Sequence, residues 1–167
     1  MRKKTYLIMA IIIVAIIALD QWTKYLAIKH LKDAEAIVII PRFLSLSYHE
    51  NTGMGFGFLQ GQTLFFIVVT IIALIVFIAM AHTAHFKKNF FYSSGITLLI
   101  GGTIGNFIDR LFREGGKVID MIDAWILSDN FPIFNIADMA LTIGFFALAI
   151  DIFIFESLRR KNDEKNV

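Results

Sequence analysis

Asp20, Asp109, Asp120 and Asp138 are the residues of this chain most able to do chemistry, because each lies in or beside an apolar stretch where an acid is costly. An ionisable side chain at membrane depth costs at least about 2.5–3.5 kcal/mol on insertion scales, so it is rare unless it faces protein or water and serves a purpose. Counting the apolar stretches as membrane crossings puts all four acids at the same, outer end. Two carboxylates brought together in a pocket of low dielectric cannot both ionise readily. One stays protonated near neutral pH, and the pair can then act as general base and general acid. An aspartyl protease requires this: one carboxylate takes a proton from the attacking water, and the other polarises the peptide carbonyl and later helps protonate the leaving amine. No cofactor is needed.

Spacing gathers further polar residues around these acids. Asn135, Asp138 and Thr142 fall at i, i+3 and i+7, on one face of a helix, and Asn106, Asp109 and Arg110 share a face of the preceding one. Val118-Ile119-Asp120-Met121-Ile122 is an acid inside an apolar run, expected for a loop segment bent back against a pocket, where its pKa would be perturbed. Asn51 and Gly53 open a glycine-rich loop, Asn51 to Gly57, whose backbone can lie close to a ligand.

The elements that position these residues follow from composition. The chain is 57% hydrophobic and 18% charged, with 17 Phe and no Cys, and its mean hydropathy is +0.68. A soluble chain is about 45–50% apolar and about one quarter charged, so the excess must be buried in lipid. Cysteine chemistry is excluded, and a net charge of +2 gives no reason to expect nucleic acid as a partner. Four spans are expected, at about residues 6–28, 63–83, 90–109 and 136–156, within one integral-membrane domain covering 1–167. A basic start and an apolar run of signal-peptide length open the chain, but no small-x-small cleavage site precedes a polar mature sequence, so the first span is read as uncleaved. The third contains Gly101 and Gly105 at the spacing that lets helix backbones approach, and should pack against protein. Lys and Arg at the N-terminus, at residues 87–88 and at residues 159–161 place both termini and the 82–89 loop in the cytoplasm. Ala36–Ile40 and Phe43–Tyr48, separated by Pro41, are β-prone and predict a small sheet at the outer surface, at about residues 34–61.

Five short boxes in order, Asp20-Gln21-Trp22-Thr23-Lys24, Asn51-Thr52-Gly53-Met54-Gly55-Phe56-Gly57, Gly101-Gly102-Thr103-Ile104-Gly105-Asn106-Phe107-Ile108-Asp109-Arg110, Val118-Ile119-Asp120-Met121 and Phe134-Asn135-Ile136-Ala137-Asp138, strongly resemble the lipoprotein signal peptidase (signal peptidase II) family over essentially the whole chain. The resemblance implies an aspartyl endopeptidase of the bacterial inner membrane. Such an enzyme removes the signal peptide from diacylglyceryl-modified prolipoproteins just before the lipidated cysteine. It implies a four-helix membrane bundle with a small extracytoplasmic β-cradle, an active site near the extracytoplasmic face, and inhibition by globomycin-type cyclic peptides. It further implies Asp120 and Asp138 as the catalytic pair, with Asn51, Asn106, Arg110 and Asn135 lining the substrate pocket. Asp20, Lys24, Gly53, Gly105 and Asp109 would be structural or positioning residues, and the partners would be lipidated prolipoproteins and membrane lipids.

Plainer readings stand beside these. Asp20 and Lys24 have the i, i+4 spacing of a helical salt bridge. Asp109 with Arg110 is an acid and a base adjacent at a span end, the pattern of an interfacial anchor or ion pair, and Asn51 suits a glycine-rich turn for backbone reasons alone. Asp123 and Asp129 read as ordinary loop acids, and Asp151, near the inner end, as one that reaches water or the basic tail. The histidines are too scattered for a metal site. An ion-coupled transporter would distribute its acids through the membrane depth, whereas here four gather at one end.

Overall fold

The computed structural model describes residues 2–53, 61–124 and 131–155. Met54 to Gly57 of the glycine-rich box, Asp129 and the basic residues 159–161 lie outside the described residues. Among the described residues four helices are long and apolar enough to cross a membrane: α1 (Arg2–Leu31), α2 (Thr63–Ala81), α3 (Phe90–Phe112) and α4 (Ile136–Ile150), the last continuing as a π-helical turn, Asp151–Phe155. At about 1.5 Å per residue, the 30 residues of α1 exceed a hydrocarbon core of about 30 Å, and its later turns carry the exposed aromatics Trp22 and Tyr25.

The third helix is the hub of the bundle. Within its most apolar window 56% of α3 is buried, against 17% for α1, 11% for α2 and 17% for α4. Glycines make that centrality possible, because α4 crosses α3 where a methyl group would not fit. A Cβ on Gly95 would stand 2.9 Å from the Gly144 carbonyl, and one on Gly102 would stand 2.5 Å from that of Ala137. Gly101 accommodates Ile16 of α1, while Gly105 leaves room for the carboxylate of Asp20 and the methyl of Ala137. The close approach expected at Gly101 and Gly105 is therefore present, and Gly95, Gly102 and Gly144 extend it along the α3–α4 seam.

A three-stranded antiparallel sheet of order β1-β2-β3 packs at the end of the bundle where α1 ends and α4 begins. Strands β1 (Ile37–Ile40) and β2 (Leu44–Asn51) come from the first long connection, as the sequence predicts, with the chain turning through Arg42 in a left-handed conformation (φ 61°). The third strand corrects two expectations. β3 (Val118–Ala124) comes from the second connection, so the sheet is not built from residues 34–61 alone, and Asp120 lies on a strand rather than in a loop. Its other edge bridges to Phe134, immediately before α4. Ile119 and Met121 pack on Ala27 and Leu31 of α1, while Val118 and Asp120 point the other way, into the main cavity.

Candidate active site

Four elements, β2, β3, α3 and the start of α4, deliver the polar residues to one point. Register pairs Asn51 with Val118 and His49 with Asp120, placing the end of β2 beside the acid. The bridge at Phe134 brings Asn135 to the opposite side. Asn135 caps α4 reciprocally: its Oδ1 accepts from the Asp138 N–H at 2.9 Å, and its own N–H donates to Asp138 Oδ2 at 3.2 Å. Two of the otherwise orphaned amides at this helix start are satisfied in this way. The cap also puts Asp138 in the first turn, where the helix dipole favours a carboxylate.

One asparagine thus joins both acids, for Asn135 Nδ2 donates to Asp120 Oδ1 at 2.6 Å. Asp120 Oδ2 accepts from Asn51 Nδ2 at 3.0 Å, and Asp138 Oδ1 from Asn106 Nδ2 at 2.8 Å. Asp120 is buried, and both acids border a cavity of about 790 Å³. Burial, reinforced by the negative charge of Asp138, pushes the Asp120 carboxyl up to about 7 against the opposing hydrogen bonds from Asn51 and Asn135. Polar groups occupy one wall; Phe65, Phe66 and Val69 of α2 and Met139 and Ile143 of α4 make the others apolar. Such a space suits an extended chain with apolar side chains, presented to two acids able to exchange protons. Among the described residues no group of three or more His, Asp or Glu is disposed to hold a metal ion.

Asn106 and Arg110 line the cavity as expected from their helical spacing, but Asp109 turns away from it. Neither is Asp109 paired with its neighbour Arg110. It joins a buried cluster with Lys24 (2.8 Å), which also bonds Asp20 (2.8 Å), and with Arg113 (2.7 Å). Asp20 contributes a further cap by accepting from the Ala137 N–H at 2.9 Å, so α1 secures the start of the helix bearing Asp138. Gln21, quoted in the first box but given no role there, donates to Asp20 (3.2 Å), the Gly105 carbonyl (3.1 Å) and Asp109 (3.2 Å). Arg110 instead donates to the carbonyls of Gly53 (2.8 Å) and Gly116 (3.2 Å) and stacks 4.2 Å over the ring of Phe66. Gly53 is tied again through its N–H to Asn51 Oδ1 at 2.9 Å. Asp151 is 2% exposed, which removes water from its two expected surroundings; the basic tail, the other, lies outside the described residues.

Four apolar spans, a small sheet at one end of the bundle and a carboxylate pair beside an apolar cavity describe a polytopic membrane protein. Residues 12–154 match the family described as signal peptidase (SPase) II. The lipoprotein signal peptidase of Shouchella clausii is 47% identical over 155 residues, covering 93% of this chain and 95% of the relative. That of Halalkalibacterium halodurans is 40% identical over 157 residues, covering 93% and 97%. A solved bacterial membrane enzyme superposes with a TM-score of 0.79 at 38% identity, covering 92% of this chain and 90% of its own. The chain belongs to the signal peptidase II family. It is accordingly a bacterial multi-pass membrane protease of the kind that cleaves prolipoprotein signal peptides.

Proposed function

We propose that this chain is an aspartyl endopeptidase that cuts diacylglyceryl-modified prolipoproteins just before the lipidated cysteine, with Asp120 and Asp138 as the catalytic pair. The observation that carries this reading is the pair of carboxylates hung on one asparagine at the wall of the apolar cavity. Asp120, whose carboxyl titrates near 7, holds the shared proton and donates it to the scissile carbonyl oxygen. Asp138 takes a proton from water as the water oxygen bonds to the carbonyl carbon. Collapse of the tetrahedral intermediate breaks the C–N bond, and the proton on Asp138 passes to the leaving amine of the cysteine. The water is thereby split between acid and amine products, and Asp120 regains its proton from the intermediate.

Asn51, Asn106 and Asn135 hold the acids where substrate meets them, and Arg110 shapes the pocket by fixing Gly53. Asp20, Lys24, Gly105 and Asp109 support that arrangement from below. The enzyme is one domain of the bacterial inner membrane, with both termini cytoplasmic, as the basic flanks favour. The site then lies near the extracytoplasmic face, in contact with membrane lipid, and globomycin-type cyclic peptides compete for the same cavity.

Purified protein given a prolipoprotein with and without the diacylglyceryl group tests the substrate assignment by mass shift on a gel. The lipidated form is expected to be cut far faster, because acyl chains held in lipid fix the scissile bond at the depth of the site and turn binding into positioning. Equal cleavage of both forms would remove the lipidated substrate from this reading. The pair also dictates a bell-shaped rate profile whose two pKa values belong to the dyad as a whole. Activity should fall as pH rises beyond about 7, where the pair gives up the proton that burial holds on Asp120. A rate that climbs to an alkaline plateau in detergent or nanodiscs would show that no carboxylic proton is used.

A further inference from the structure

The amide of Asn106 stands between the buried cation Lys24 and the acid Asp138. Its Oδ1 accepts from Lys24 Nζ at 3.0 Å and from Asn135 Nδ2 at 3.1 Å, and its Nδ2 donates to Asp138 Oδ1 at 2.8 Å. An ammonium has donors and no acceptor. The Asn106 atom facing Lys24 must therefore be the oxygen, which leaves the NH2 group only the direction of Asp138. Flipping the amide would set its NH2 against two donors and its carbonyl against a carboxylate. Lys24 is itself fully spent: its three donors reach Asp20, Asp109 and Asn106, and its side chain is 0% exposed. It touches neither aspartate of the dyad.

We propose that Lys24, beyond closing an ion pair, is a positioning residue for catalysis that locks the Asn106 amide in the one orientation able to donate to Asp138. The inference rests on the reading of Asp138 as catalytic. Through this lock the Asp138 carboxylate is held as an acceptor, its second oxygen fixed by the Asn135 N–H, with its free lone pairs open to water in the cavity.

The test is a cycle on the full-length enzyme in detergent with lipidated substrate. Lys24→Met combined with Asp20→Asn removes one positive and one negative charge together, so the buried cluster keeps its balance. The amide oxygen introduced by Asp20→Asn can still accept from the Ala137 N–H. In the parent this double change is expected to lower kcat by about tenfold at unchanged KM, the size of effect a contact in a coupled network carries. In an Asn106→Ala background, already slowed, the same double change should cost less than about twofold, since the amide through which it acts is gone. Equal fold losses in both backgrounds would overturn the proposal, because a purely structural lysine would act on each alike. Asn106→Asp supplies a second reading with Lys24 retained: it presents oxygens to Lys24 and Asn135 and, when ionised, has no donor for Asp138. Loss of kcat in a chain that unfolds no earlier than the parent is expected, and full activity would again overturn it. Asp138→Asn, measured alongside, separates the two levels. If that variant keeps turnover, the two-aspartate reading has failed and takes the role of Lys24 with it; if it is inactive, the cycle judges Lys24 alone.

Discussion

Asp120→Asn and Asp138→Asn are each expected to yield a chain that inserts and folds but loses turnover. An amide cannot exchange a proton, and general acid-base terms alone are worth roughly 100- to 10,000-fold. The Asp120 variant has a second, opposite signature. Burial raises the carboxyl to about 7 in the folded chain from its ordinary value of 3.8, so the ionised form is disfavoured in the folded state. Folding stability from this group is then fully present at acid pH and lost as pH rises through the interval up to about 7. Asn resembles the protonated acid at every pH. The Asp120→Asn chain should therefore unfold at a higher temperature than the parent at pH 8 while being catalytically dead. Thermal unfolding in detergent and cleavage of lipidated substrate give the two readouts, and near parental turnover by either folded variant would sink the assignment of the pair.

Lys24→Met alone should be among the most damaging single changes to folding. Asp20 and Asp109 are both 0% exposed at their side chains, and each shares Lys24 at 2.8 Å. Removing one member of a buried ion pair typically costs about 3–5 kcal/mol, because the partner is left as an uncompensated charge. Here two carboxylates lose the same cation, and among the described residues only Asp109 retains another, Arg113. A large fall in the unfolding temperature and in the yield of folded protein is expected, mostly recovered when Asp20→Asn is added. An unchanged unfolding temperature for the single variant would mean that the cluster carries little of the fold.

The helices were legible because lipid demands long apolar runs, and that demand is written directly in hydropathy. Asp120 shows where such legibility stops. Val118-Ile119-Asp120-Met121 does alternate, with Val118 and Asp120 toward the cavity and Ile119 and Met121 toward α1. Both faces are buried, however, so the strand reads as one apolar run with an acid in it. Its partner strand is also some seventy residues away, as the Asn51–Asp120 bond across 69 positions records. The i, i+4 spacing of Asp20 and Lys24 announced a pair, but nothing local announced that Asp109 completes it from another helix. Arg110 was legible as a pocket residue, but its partners were not, being backbone carbonyls and a ring face, to which residue-type patterns are blind. Gln21, lying beside the two motif acids it bonds, was visible only as part of a box.

The bond from Ala137 to Asp20 spans 117 residues, and this has a bearing on how the protein is made. A ribosome adding about 5–20 residues per second releases α1 into the bilayer on the order of ten seconds before the start of α4 exists. During that wait Asp20 lacks the amide it will eventually cap, and Asp109 has not yet arrived. The i, i+4 placement of Lys24 solves the problem within α1 itself, since acid and base neutralise one another on the same helix. The first span can therefore enter lipid with the acid and base of its interior already paired. Asp120 and Asp138 meet only when the last span docks, so the proposed pair is assembled only in the completed chain.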